Sequence, residues 1–84
     1  MADGIVKGYD DKKHTYTIET IFNNKKYNFE YRTDIEYITK AGKEMSGCWI
    51  KEEPDIDDAV EYNFGIVEID GEKVKFLKFL SIKE

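Results

Sequence analysis

The chain is poor in cysteine, proline, histidine and long apolar runs. One cysteine, Cys48, in 84 residues excludes a disulfide framework within the chain and suits a reducing, cytoplasmic setting. One proline, Pro54, and six glycines leave no linker, and no repeat or low-complexity stretch divides the sequence. No apolar run approaches the ~18–20 residues a membrane span needs, so no membrane role is expected. The Met-Ala-Asp-Gly start lacks a basic-then-apolar signal pattern. Positive charge is also in short supply. A net charge of −5 argues against a generally basic nucleic-acid binder. Helical periodicity is nearly absent as well.

What the chain does have is aromatic side chains and charge. Six Tyr, five Phe and one Trp make up 14% of the residues, and 37% are charged. The aromatics suffice for the thin core of one small domain over residues 1–84. They also exclude a disordered chain. The charge is uneven. Residues 1–43 hold eight basic against seven acidic residues, a net of +1, whereas residues 44–84 hold five against eleven, a net of −6. Six of those acids fall between Glu52 and Glu61. An anion-binding surface is therefore expected from the first half.

Period two runs through most of the sequence. A first strand is read from Gly4 to Asp10, followed by a turn at Asp10-Asp11-Lys12-Lys13. A second runs from about His14 to Phe22, with Tyr16, Ile18, Thr20 and Phe22 on one face. Asn23-Asn24-Lys25-Lys26 is a hairpin loop, because Asn tolerates left-handed backbone. The third strand, about Lys26 to Thr33, turns Tyr27, Phe29 and Tyr31 one way and Asn28, Glu30 and Arg32 the other. Residues 34–53 are irregular. Ile35 and Ile38 are spaced for one helical turn near Asp34–Ala41, and Cys48-Trp49-Ile50 is spaced for a short strand. An acidic loop, Glu52 to Asp58, follows.

The last two strands meet at Asp70-Gly71, a two-residue turn that needs positive φ. Pairing outward sets Glu68 opposite Lys73 and Val67 opposite Val74. Val60, Tyr62 and Phe64 are out of phase with Val67 and Ile69, and a β-bulge at Gly65-Ile66 repairs the phase. Phe64 then meets Phe76, Val60 meets Leu80, and Leu77 and Phe79 point outward, to be covered by segment 35–50 or a partner. The expected core is Val6, Tyr16, Ile18, Tyr27, Phe29, Val60, Phe64, Val67, Val74, Phe76 and Leu80. The fold expected is an all-β, small five-stranded antiparallel barrel with a long irregular segment between strands 3 and 4. Closure removes the sheet edges. The oligonucleotide/oligosaccharide-binding (OB) barrel is the first choice and an SH3-like barrel the runner-up.

Gly4-Ile5-Val6-Lys7-Gly8-Tyr9-Asp10 resembles the opening Gly-x-Val-Lys-Trp-Phe-Asn of the cold-shock domain, an OB-type barrel that binds single-stranded nucleic acid. Lys13-His14-Thr15-Tyr16-Thr17-Ile18 sits where that family has Lys-Gly-Phe-Gly-Phe-Ile. Tyr27 to Ile35 falls near its Val-Phe-Val-His-Phe-Ser-x-Ile, and Val60-Glu61-Tyr62-Asn63-Phe64 near its last hairpin. The resemblance covers about half of the chain; no motif is intact, and residues 34–58 do not match. It implies the barrel and a nucleic-acid face on the first strands. Gly8, Thr15 and Thr17 stand where the family stacks bases on Trp and Phe, and Asn28 and Glu30 take two more such places.

Little here points to catalysis. His14 is a turn residue, and Cys48 has no second His to activate it. The carboxylates form no tuned pair. Asp55-Ile56-Asp57-Asp58 lacks the Gly and the distal Glu of a calcium loop. The chain is therefore expected to be a non-enzyme without metal or cofactor. The expected function is weak, salt-sensitive binding of single-stranded RNA or DNA. Lys7, Lys12, Lys13 and Lys25 would contact phosphate, and Tyr9 and Tyr31 would stack. The alternative is a protein-binding module using Trp49, Leu77 and Phe79 beside the Glu52–Glu61 acids, or a small acidic inhibitor that imitates nucleic-acid phosphate.

Overall fold

Left-handed backbone marks the two tight hairpins. Asn23 and Asn24 have φ of 51° and 64°, and Asp70 and Gly71 have φ of 51° and 81°. Both pairs are two-residue loops with positive φ throughout, whose twist matches that of the flanking strands. The first joins β2 (Thr15–Phe22) to β3 (Lys25–Arg32), and the second joins β7 (Ala59–Ile69) to β8 (Glu72–Ile82). β1 (Ala2–Asp10) precedes them. Its turn to β2 is held by the Asp10 carboxylate, which accepts the N–H groups of Lys12 and Lys13 at 3.0 and 3.1 Å. The computed structural model describes residues 1–83.

The strands lie in the order β3-β2-β1-β7-β8, and β3 pairs with β8 through Arg32 and Phe76 to close the barrel. This is the small β-barrel expected, with one difference in direction. The closing pair is parallel while the other barrel pairs are antiparallel. A sixth short strand, β6 (Trp49–Ile50), adds parallel to β8.

No helix occurs among the described residues. Where one helical turn was expected, β4 (Glu36–Ile38) and β5 (Glu44–Ser46) form a separate hairpin. Thr39 and Lys43 close its loop around Gly42, whose φ is 82°. Ile35 is buried and Ile38 is 71% exposed, so their spacing of three does not place them on one face.

The core differs from expectation at the last hairpin. The bulge lies in β8, not β7. Asn63 pairs with Phe79 and Phe64 with Leu77, which leaves Lys78 as the extra residue. Leu77 therefore points inward and is 1% exposed, correcting its assignment as an outward docking residue. Phe76 takes the outer side instead. It is buried there under Tyr37 of β4, with ring centroids 5.2 Å apart. Phe64 faces inward but is 41% exposed, and Tyr27 is exposed as well. Their core places belong to Tyr31 and Tyr62, whose hydroxyls lie 3.3 Å apart in the barrel interior. Pairing the two hydroxyls lets large rings fill the core without an orphan polar atom.

Candidate binding surfaces

The expected nucleic-acid residues do not gather on one surface. Lys12 and Lys13 lie at the β1–β2 turn, and Lys25 and Lys26 at the far end of β2. Eight residues of strand separate them by roughly 23 Å, at ~3.3 Å per residue. Lys7 is the bulged residue of β1 and pairs with Asp57 at 2.9 Å. The hydrogen bond to Asp57, and after it the charge of that carboxylate, raises the Lys7 pKa. Arg32 forks onto Asp34 at 2.8 and 2.9 Å. Between the turns, the outer side of β2 and β3 carries Thr17, Glu19, Asn28 and Glu30, with no ring to stack a base.

The two candidate stacking tyrosines both point inward. Tyr31 is 2% exposed, so it has no free ring face, and its assignment as a base-stacking residue is corrected. Burial, then the bond to Tyr62, pushes its hydroxyl pKa far up. Tyr9 pairs opposite Tyr16 and leans on that ring at a centroid distance of 4.6 Å. The bulge at Lys7 turns it to the inner side, where it edges the barrel's lower mouth.

The residues of the alternative reading separate too. Leu77 is in the core. Trp49 remains 62% exposed and stacks on Phe79 at 5.1 Å and 24°, so segment 35–50 covers Phe79 as well as Phe76. His14 sits at φ 54°, and its carbonyl accepts from Thr33. Burial pushes the Cys48 thiol up to about 11, which makes it a poor nucleophile at neutral pH.

One uncovered apolar surface was missed by the sequence reading. β1 starts at Ala2, which pairs with Tyr62, while the β7–β8 hairpin continues past that point to Ile69 and β2 ends level with it at Phe22. Rings at this end of the barrel stay exposed. Phe22, Tyr27, Phe29 and Phe64 line a groove of about 370 Å³ whose floor is Tyr31 and Tyr62. Phe22 is 65% exposed. Tyr27 and Phe29 lie nearly parallel, 10° apart, as i, i+2 neighbours do on one strand face. Lys75 stands over the Phe29 ring at 4.9 Å. The available sequence signal was three aromatics at period two in β3 beside a hairpin longer than its neighbour.

No protein-family model matches the chain, and neither a curated protein nor a solved structure matches it. The fold and surfaces thus define a small closed β-barrel, compatible with a nucleic-acid-binding or interaction module.

Proposed function

We propose that the chain is a non-catalytic interaction module that docks an apolar segment of a protein partner in the aromatic groove at the upper mouth. One observation carries this reading: Phe22, Tyr27 and Phe64 line one groove and are all exposed. Clustered exposed apolar surface is costly in water, and concave aromatic surface is what binding sites use. The groove lining contains no charged side chain, and Lys25 flanks it at the hairpin tip. Rings in a polar rim resemble the arrangement of interface anchors.

Single-stranded nucleic acid is the second reading. It is favoured by Lys25 and Lys75 beside the same rings, since a strand needs both cations and stacking faces. It now rests on the groove and no longer on Tyr31 or on a shared lysine surface.

Peptide selection against the folded protein tests the first reading. Selected peptides should carry apolar or aromatic anchors and shift the amides of Phe22, Tyr27, Phe29 and Phe64. Tyr27→Ser should weaken them by about tenfold or more, as expected for a central aromatic anchor. Tyr27 is already exposed, so the fold should survive. Selected peptides that map elsewhere, or that ignore Tyr27→Ser, would sink the proposal. A mixed oligonucleotide that shifts the groove amides at low salt when no peptide does would move the second reading to first place.

A further inference from the structure

The barrel's lower mouth has a different chemistry. There the loop after β6 crosses beneath the end of β1 and borders an open pocket of about 420 Å³. Tyr9, packed on the buried Tyr16, supplies its exposed ring, Pro54 and Ile56 its apolar edge, and Asp11 and Glu53 its carboxylates. No basic side chain is among its lining residues. Among the described residues, neither Asp11 nor Glu53 has an ion-pair partner, and no lysine stands over either ring.

The site is held in place before any ligand arrives. Val6 donates to the Asp58 carbonyl at 3.0 Å, and Asp57 donates to the Val6 carbonyl at 2.7 Å. Asp55 donates to the Asp58 carboxylate at 2.8 Å. The Lys51 N–H donates to the Leu80 carbonyl at 3.1 Å, fixing the other end of the loop. Tyr16 is buried beneath Tyr9, which keeps 45% of its surface exposed. Burial, and after it the Glu53 carboxylate, raises the Tyr16 pKa. Lys7 is committed to Asp57, and Lys12 and Lys13 are not among the lining residues.

We propose that the lower mouth binds an organic cation, an alkylammonium group of the kind a methylated lysine side chain or a small quaternary amine presents. The face of an aromatic ring attracts such a cation, and the attraction grows as water is excluded. Glu53 and Asp11 match its charge, and Pro54 and Ile56 receive its alkyl groups. A hard divalent ion is a poorer match. It gains nothing from rings, and no group of three His, Cys, Asp or Glu that could hold a metal occurs among the described residues. The inference is independent of the groove at the upper mouth.

The test is an NMR titration of the whole chain with choline. Its uncharged isostere 3,3-dimethylbutanol and sodium chloride at equal ionic strength are the controls. Choline should shift the amides of Tyr9, Tyr16, Glu53 and Ile56 saturably, and the alcohol should bind at least about tenfold more weakly. Tyr9→Leu removes the ring face and Glu53→Gln the charge, both at exposed positions. Each should weaken choline by about threefold or more, while Tyr27→Ser in the groove leaves it unchanged. N-acetyl-trimethyllysine methylamide that binds more tightly than choline would assign the cation to a modified protein. The reverse order would assign it to a free amine. The proposal is overturned by no saturable shift, by equal response to the alcohol, or by unchanged affinity in Tyr9→Leu.

Discussion

Removing one hydroxyl from the buried tyrosine pair should cost more than removing both. Tyr31 and Tyr62 are 2% and 1% exposed, and their hydroxyl oxygens lie 3.3 Å apart. That is long for an O–H···O bond, whose usual length is ~2.7–2.8 Å, so the bond itself is at the weak end. The orphan matters more. In Tyr31→Phe the Tyr62 hydroxyl stays buried with no partner on β3, a penalty of ~1–3 kcal/mol. Tyr62→Phe has the same consequence for Tyr31. The double substitution removes both polar groups and keeps both rings, and should be within ~1 kcal/mol of the parent. The double-mutant cycle should therefore show a coupling of about 2 kcal/mol or more, because both single penalties vanish in the double. A domain of this size has a total of ~4–12 kcal/mol. At a urea slope of ~1 kcal/mol per molar, each single change should move the midpoint by roughly 1–3 M. Urea unfolding followed by circular dichroism reads this directly. Two singles near zero that add in the double would refute the reasoning. They would mean that both hydroxyls are hydrated and that Tyr31 lies at the surface after all.

Three further outcomes follow from the geometry. Leu77→Ala should cost ~2–5 kcal/mol because its site is closed. Phe64→Ala, at an open mouth, should fall below the ~3–5 kcal/mol of a buried Phe; equal stability of Leu77→Ala and the parent would contradict the β8 bulge. Gly65→Ala should destabilise by ~1–3 kcal/mol, since a Cβ there would meet the Phe76 ring at 2.7 and 2.9 Å. Gly8→Ala should be neutral or slightly stabilising, because nothing lies within 4 Å, and thermal melts of the two variants distinguish these signs. The bond to Arg32 holds the Asp34 pKa below its ordinary value. The stabilisation is thus present above that ordinary value and lost as pH falls through the lowered one. Both side chains are over a third exposed, so Asp34→Asn should cost only ~0.2–1 kcal/mol at pH 7. A cost that persists at pH 2 would exclude the ion pair as its source.

The barrel's two mouths have separate origins. The upper groove lies where the β7–β8 hairpin outruns the start of β1. The lower cavity exists because a bulge in β1 turns Tyr9 inward while an acidic loop is tied across the opening. Each is concave and aromatic, but only the lower one is lined by carboxylates. A partner bringing an apolar segment and one bringing a cation would thus meet different ends of the same small domain.

Local chemistry made much of this chain legible from its residues. Asp70-Gly71 and Asn23-Asn24 set their turns because few residues accept positive φ, and each turn sets the register of its own hairpin. Glu68 faces Lys73 and Val67 faces Val74 as the turn requires. Alternation likewise turned Tyr27, Phe29 and Tyr31 inward and left the outer side of β2 and β3 without rings. Beyond the hairpins, tertiary contacts decided. Either strand of the last hairpin could absorb the extra residue. Lys78 can bulge toward solvent, whereas Gly65 must lie flat beneath the Phe76 ring. That choice depends on Tyr37 covering Phe76 from a distant hairpin, and it moved Leu77 into the core and Phe64 to the rim. The groove depends on closure in the same way. An inward residue is buried only where another strand lies opposite, and how far the strands overlap is settled by the barrel as a whole.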